Sequence, residues 1–173
     1  MAGNATGPCG RPVIFRTVAI EGVIVGRIAK IRRHPDGVRI WLADLDIGAD
    51  YQPQIVWGGE PVVTEGDLVP VAPPGARLPA TAGQRGTCKI RRRRYRGELS
   101  EGMLCSLAEL GWDLSVTDRV ALLADTAGLK PGDSLDGVGA DWQLLVRPAA
   151  GFLSLPEFAV AEPGKVLQTA SLG

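Results

Sequence analysis

Seven basic residues lie between positions 85 and 96 with no acidic residue among them: Arg85, Lys89, Arg91, Arg92, Arg93, Arg94 and Arg96. A guanidinium is a planar fork of donors that matches two oxygens of a phosphate, so a row of them along one strand is suited to a polyanion. The competing use is a solvated basic edge that discourages strand-to-strand aggregation. Runs of like charge in disordered tails have polar, low-complexity neighbours. Here Ile90 and Tyr95 flank the arginines and Met103, Leu104 and Cys105 follow, which puts the run inside a folded region. The formal net charge of zero hides a segregation: the chain from Gly97 onward has 4 basic and 11 acidic residues. A basic stripe on an otherwise acidic protein is the electrostatic footprint of polyanion binding.

Other chemistry is sparse. Arg27, Lys30, Arg32, Arg33 and Arg39 bracket the segment HPDG (34–37) and extend the basic stripe if they share its face. His34 is the single histidine, and Cys9, Cys88 and Cys105 are far apart without a CxxC pair. Neither a disulfide framework nor a metal site is expected from that set, and no catalytic group or cofactor loop stands out. Stacking platforms for unpaired bases are few: Trp41 and Trp57 fall in apolar runs that read as core, and Tyr95 lies among arginines. Backbone charge and shape should then outweigh base reading.

The elements that must carry these residues are short. With 173 residues, 23 glycines and 13 prolines, the chain suits one domain of many strands and turns. VIVGRIAKIRR (23–33) and VRIWLADLDIG (38–48) read as a hairpin across HPDG, where Pro35 and Gly37 are turn residues. QIVWGG (54–59) is a short strand, TEGDLVPVAPPGARLP (64–79) a turn, strand and turn, and TCKIRRRRYRG (87–97) the last long strand. SLAEL (106–110) predicts a short helix, with Ser106 and Glu109 as its capping box. Residues 112–138 supply a further extended segment and turn; beyond Gly139 the pattern is irregular and loosely packed. About five strands with Gly/Pro turns point to an all-β, closed or partly closed barrel, the OB-fold among the possibilities. Alternation along 89–96 leaves neither face apolar, so the basic strand must overhang the barrel or carry a bulge. There is no apolar run of membrane-spanning length and no secretory leader pattern, so a cytoplasmic location is expected.

The segments VGRIAKIRRHPD, LADLDIG, QIVWGGEP, EGDLVPVAPPGARLP and KIRRRRYRGELSEGMLCS occur in an order that resembles a known module. It is the tRNA-binding OB-fold domain of the bacterial phenylalanyl-tRNA synthetase β chain, also found in proteins of the endothelial-monocyte-activating-polypeptide type. The resemblance runs from about Val23 to Val138. It departs at Val38, where the family usually has an acidic residue, in GGEPVV, which is about one residue longer, and at Arg93, where a small residue is common.

The resemblance implies a five-stranded OB-fold barrel over 21–138, an N-terminal arm over 1–20, and a C-terminal extension over 139–173 that looks like a synthetase remnant. It implies a non-catalytic tRNA-binding protein that needs no cofactor or metal and works alone or in trans to an aminoacyl-tRNA synthetase, and it leaves pairing as a homodimer open. Its expected RNA contacts are Lys89, Arg91, Arg92, Arg93, Arg94, Tyr95 and Arg96, extended by Arg27, Arg33, His34 and Ser106. His34 serves either a turn or the RNA, and Ser106 either a cap or a phosphate. A chaperone-like or protein-interaction module of the same fold, and a detached synthetase β-chain fragment, are the alternative readings. The acidic C-terminal third could also fold over the basic strand and compete with RNA.

Overall fold

A computed structural model describes residues 20–59, 62–80, 86–115 and 119–147. The four runs read as strands become β1 (Ile24–Arg33), β2 (Ile40–Asp46), β3 (Gln54–Gly58) and β4 (Leu68–Ala72). Five short strands follow: β5 (Arg77–Pro79), β6 (Thr87–Lys89), β7 (Arg93–Tyr95), β8 (Glu98–Ser100) and β9 (Met103–Leu104). The main sheet is antiparallel in the order β3-β2-β1-β4-β9.

The segment from β8 to β9 closes the sheet on itself. At the β3 edge, Glu101 N–H donates to Gln54 O (2.8 Å) and Val56 N–H donates to Ser100 Oγ (2.9 Å). The chain then turns at Gly102 and pairs with β4, Leu104 opposite Val71. A register shift between Ile28 and Lys30 marks a bulge in β1, which adds the bend that a closing sheet needs. The result is the expected all-β, five-stranded barrel-like fold, consistent with an OB-fold.

Two apolar clusters hold it together. Ile28, Ala43, Leu45, Ile55, Val69, Val71 and Leu104 come from all five strands of the sheet and fill the interior. Val23, Val25, Leu68, Leu110, Leu123 and Leu135 form a second cluster on the outer side of β1 and β4. All five residues of β4 are buried, because the interior covers one face and the 105–147 segment covers the other. Cys105 sits in this outer cluster, where burial first and the Glu109 carboxylate second push its thiol above the ordinary range. It packs as a small apolar residue rather than a nucleophile.

Four local readings change. Val38 and Arg39 belong to the turn, since Arg39 takes a left-handed φ of 78° and Val38 is solvent-exposed, so β2 begins at Ile40. The segment 87–97 is not one long strand but two short ones interrupted at Ile90–Arg92. SLAEL makes its capping box but only one turn, Leu110 N–H to Ser106 O, before Gly111 at φ 71° ends it. Among the described residues the helical elements are two 3-10 turns, Asp125–Ala127 and Ala140–Leu144.

The chain from 139 to 147 is packed rather than loose. Trp142 stacks on Trp112 with centroids 6.1 Å apart, and Arg147 bridges Asp67 and Asp125 at 3.1 and 3.4 Å. Backbone bonds from Ala124 N–H to Leu145 O and from Arg147 N–H to Leu122 O tie it to the outer layer. The expectations for the arm before Ile20 and for the chain from 148 onward lie outside the described residues. No helix among the described residues is long and apolar enough to cross a membrane.

Candidate nucleic-acid interface

The basic block divides into three parts around one anchor. Lys89 ends β6 opposite Arg77 of β5. Ile90 then packs against the outer cluster, its N–H donating to Ala76 O (2.8 Å) and its carbonyl accepting from Gly75 N–H (2.9 Å). Arg91 and Arg92 bridge to β7, where Arg93, Arg94 and Tyr95 face Ser100, Leu99 and Glu98 of β8. Arg96 and Gly97 form the two-residue tip with φ of 48° and 92°. Positive φ at both central residues is what a type I′ hairpin requires. The block thus overhangs the barrel as a hairpin, so arginines on both of its faces reach solvent; every residue from Arg91 to Arg96 is exposed.

Polar contacts fix the hairpin against the HPDG turn. Tyr95 O lies 3.0 Å from His34 Nε2, and Asp36 N–H donates to His34 Nδ1 at 3.0 Å. Because Nδ1 accepts from an amide, Nε2 carries the proton and donates to the carbonyl, which defines a neutral ring. Arg96 Nη1 donates to Asp36 O (3.0 Å). On the other strand, Gln54 Nε2 donates to Glu98 Oε2 (3.1 Å) and to Leu99 O (2.9 Å). Sequence reasoning missed Gln54 and Ser100 as hairpin supports, since their partners are far away in the chain and nothing local signals them.

Most of the cationic groups remain available. Arg92 pairs with Glu101 at 3.3 Å, but its side chain is 61% exposed, and such surface pairs contribute little. Arg94 Nη1 donates to Gly97 O within the hairpin. Lys89, Arg91 and Arg93 make no side-chain hydrogen bond or ion pair among the described residues. Nor does any acidic residue of 105–147 pair with a hairpin arginine there, so the idea of an acidic cover finds no support in the described part.

The second basic set is only partly joined to the first. Arg33 is exposed beside the HPDG turn, its guanidinium 5.0 Å above the Trp41 ring. Arg32 is tied to Asp44 (2.7 Å) and Gln54. Arg27 donates to Gly66 O (3.1 Å) six residues back along β1, about 20 Å from Arg33 at the rise of an extended strand. His34 is 3% exposed and Ser106 is 4% exposed, and both are engaged internally: His34 in the hairpin latch, Ser106 Oγ donating to Glu109 Oε2 (2.9 Å) and accepting from Glu109 N–H (3.2 Å). No cluster of three or more His, Cys, Asp or Glu suited to a metal occurs among the described residues.

The latch makes a prediction. His34→Ala removes a buried side chain and leaves Tyr95 O and Asp36 N–H without their partner at a part-buried site, which should cost about 1–3 kcal/mol. Denaturant unfolding measures the loss, and amide exchange should quicken in 93–99 before it does in β4. Unchanged stability and exchange would rule out the latch.

The chain was compared with known proteins. Residues 23–134 match the family model described as "Putative tRNA binding domain". The phenylalanine–tRNA ligase β subunit of Symbiobacterium thermophilum is 38% identical over 143 residues, covering 80% of this chain and 15% of that subunit. The corresponding subunit of Shouchella clausii is 37% identical over 122 residues, covering 68% of this chain and 14% of that subunit. This chain therefore spans about one seventh of the length of these relatives. Among solved structures, the C-terminal domain of Plasmodium vivax p43 aligns with a TM-score of 0.42 and 18% identity, over 67% of this chain and 58% of that one. The family match extends over well over half of the chain, from the first residues of the barrel to the outer-layer segment that covers it, and the chain belongs to the tRNA-binding-domain family.

Proposed function

We propose that this chain is a non-catalytic module that grips the phosphate backbone of tRNA through the basic hairpin, alone or in trans to an aminoacyl-tRNA synthetase. The observation that carries the reading is the row of exposed cations, Lys89, Arg91, Arg93 and Arg94, without acidic partners among the described residues, in a member of a tRNA-binding family. Arg92, Tyr95 and Arg96 complete the ridge, and Arg33 continues it past the HPDG turn. Arg27 contributes only where the RNA follows β1. His34 and Ser106 act as supports, the first holding the hairpin and the second capping the turn after β9. A tRNA ligand supports a cytoplasmic location.

Total tRNA should bind with a Kd below about 100 µM, in the range expected of backbone contacts at physiological salt. With about five phosphates neutralised, log K should fall against log salt with a slope of roughly −3.5 to −4.5. A flat salt response would sink the reading. Co-purification with a synthetase α chain tests the partnership separately, because the relatives carry this module within a ligase subunit.

A further inference from the structure

Beside the basic hairpin the fold leaves a half-open cleft of about 460 Å³. Val56 and Trp57 of β3 and Met103 of β9 give it an apolar lining; Tyr95 of β7 also lines it, as do Arg119 and Glu109. Tyr95 belongs to two features at once. It stands between Arg94 and Arg96 on the ridge, 42% exposed, and it contributes to the wall of the cleft. Its backbone carbonyl is the atom held by His34, so the position of the residue is fixed independently of its ring.

Phosphate contacts alone require no apolar recess. An unpaired nucleotide is different: its phosphate asks for a cation, and its base asks for an aromatic or apolar face to replace the stacking it has lost. The hairpin and the cleft supply both side by side, and the volume is within the range of pockets that enclose small ligands. Arg119 is exposed and adds a cation to the lining, while the Glu109 carboxylate is held by Ser106 N–H at 2.7 Å and Ser106 Oγ at 2.9 Å. The occupant favoured by this pairing of charge and apolar surface is a base still joined to its anionic chain, rather than an apolar peptide.

We propose that the cleft receives one unpaired nucleobase of the bound RNA, packed on Tyr95 and Trp57, while its flanking phosphates rest on the hairpin arginines. This rests on the tRNA-binding reading of the hairpin and deepens it: the protein selects folded RNA with a looped-out or terminal base over fully paired RNA.

The test compares wild type, Tyr95→Ala and Tyr95→Phe for binding to total tRNA and to a blunt RNA duplex. Tyr95→Ala should weaken tRNA binding about 5- to 150-fold, the loss of one stacking partner. The salt slope should stay unchanged, since no phosphate contact is removed. Tyr95→Phe should restore the affinity, and on the duplex Tyr95→Ala should lose much less than it does on tRNA. Tryptophan emission should be quenched by tRNA and by an unpaired oligonucleotide, and Trp57→Phe should remove much of the quench. Wild-type binding with a steep salt slope, together with a Tyr95→Ala affinity equal to wild type, overturns the cleft and leaves the ridge standing. Emission that follows protein concentration instead of RNA assigns the cleft to a second copy of the chain and equally overturns the proposal. Failure of the wild type to bind tRNA at all removes the underlying reading.

Discussion

Replacing Arg91, Arg93 and Arg94 together with alanine should weaken binding of every tRNA on the order of a hundredfold at physiological salt. The size follows from counterion release: each neutralised phosphate contributes a slope of about −0.9, or close to fivefold in affinity at about 0.15 M salt. Three contacts multiply to roughly that figure, and the salt slope should become shallower by about 2 to 3. The fold should survive, because all three side chains are exposed and none pairs with an acidic group among the described residues. Gel shift or filter binding across a salt series reads both numbers.

The matching Arg→Lys triple separates charge from geometry. Lysine keeps the cation but loses the two-donor fork, so its slope should stay near that of wild type while affinity falls only a few-fold. Loss confined to one tRNA species would contradict backbone recognition, and full affinity in the alanine triple would remove the ridge from the mechanism. Arg92 is left out of the set because its partner Glu101 complicates the outcome: the substitution would also free a carboxylate beside the binding surface.

The parts legible in the sequence were those whose signals are local. β4 shows as a continuous apolar run because it is covered on both faces, β1 by its β-branched composition and β2 by its alternation. The Ser106–Glu109 box is a four-residue pattern and forms as such, although the helix it foretells stops after one turn at Gly111. The course of the basic block was less legible. Alternation showed that a single strand with arginines on both sides fits no barrel wall, but not how the chain escapes the conflict. The escape depends on contacts distant in sequence: Ile90 with Ala76, His34 with Tyr95, and Gln54 with Leu99. The 139–147 segment was misread for the same reason, since Trp142 is ordered by Trp112 and Arg147 by Asp67, and neither pairing leaves a local pattern. The cleft escaped notice because Trp57 and Met103 read as core residues until their open side is seen.

Gly102→Ala should destabilise the protein by about 2–4 kcal/mol, combining backbone strain with a steric clash. The residue has φ of 138°, a conformation that L side chains rarely adopt, and an added Cβ would lie 2.6 Å from the Ala72 carbonyl oxygen. That oxygen belongs to the backbone of β4, so no side-chain rotation can relieve the contact. Ile55 Cδ1 and Pro73 Cα, both at 3.2 Å, close the remaining directions. Relief requires moving the β8–β9 segment away from β4, which opens the barrel at its closing seam and carries the hairpin with it. Gly97 is the control: its φ of 92° is also left-handed, but nothing lies within 4 Å of an added Cβ. Gly97→Ala should therefore cost only the conformational part, about 1 kcal/mol. For a domain of this size the difference between the two variants is about 3–10 °C in melting temperature. tRNA binding by Gly102→Ala should weaken well below its melting point, because β8 backs the arginine strand and shifts with the seam. If the two variants melt together and bind alike, the turn at Gly102 is not what joins the basic hairpin to the barrel.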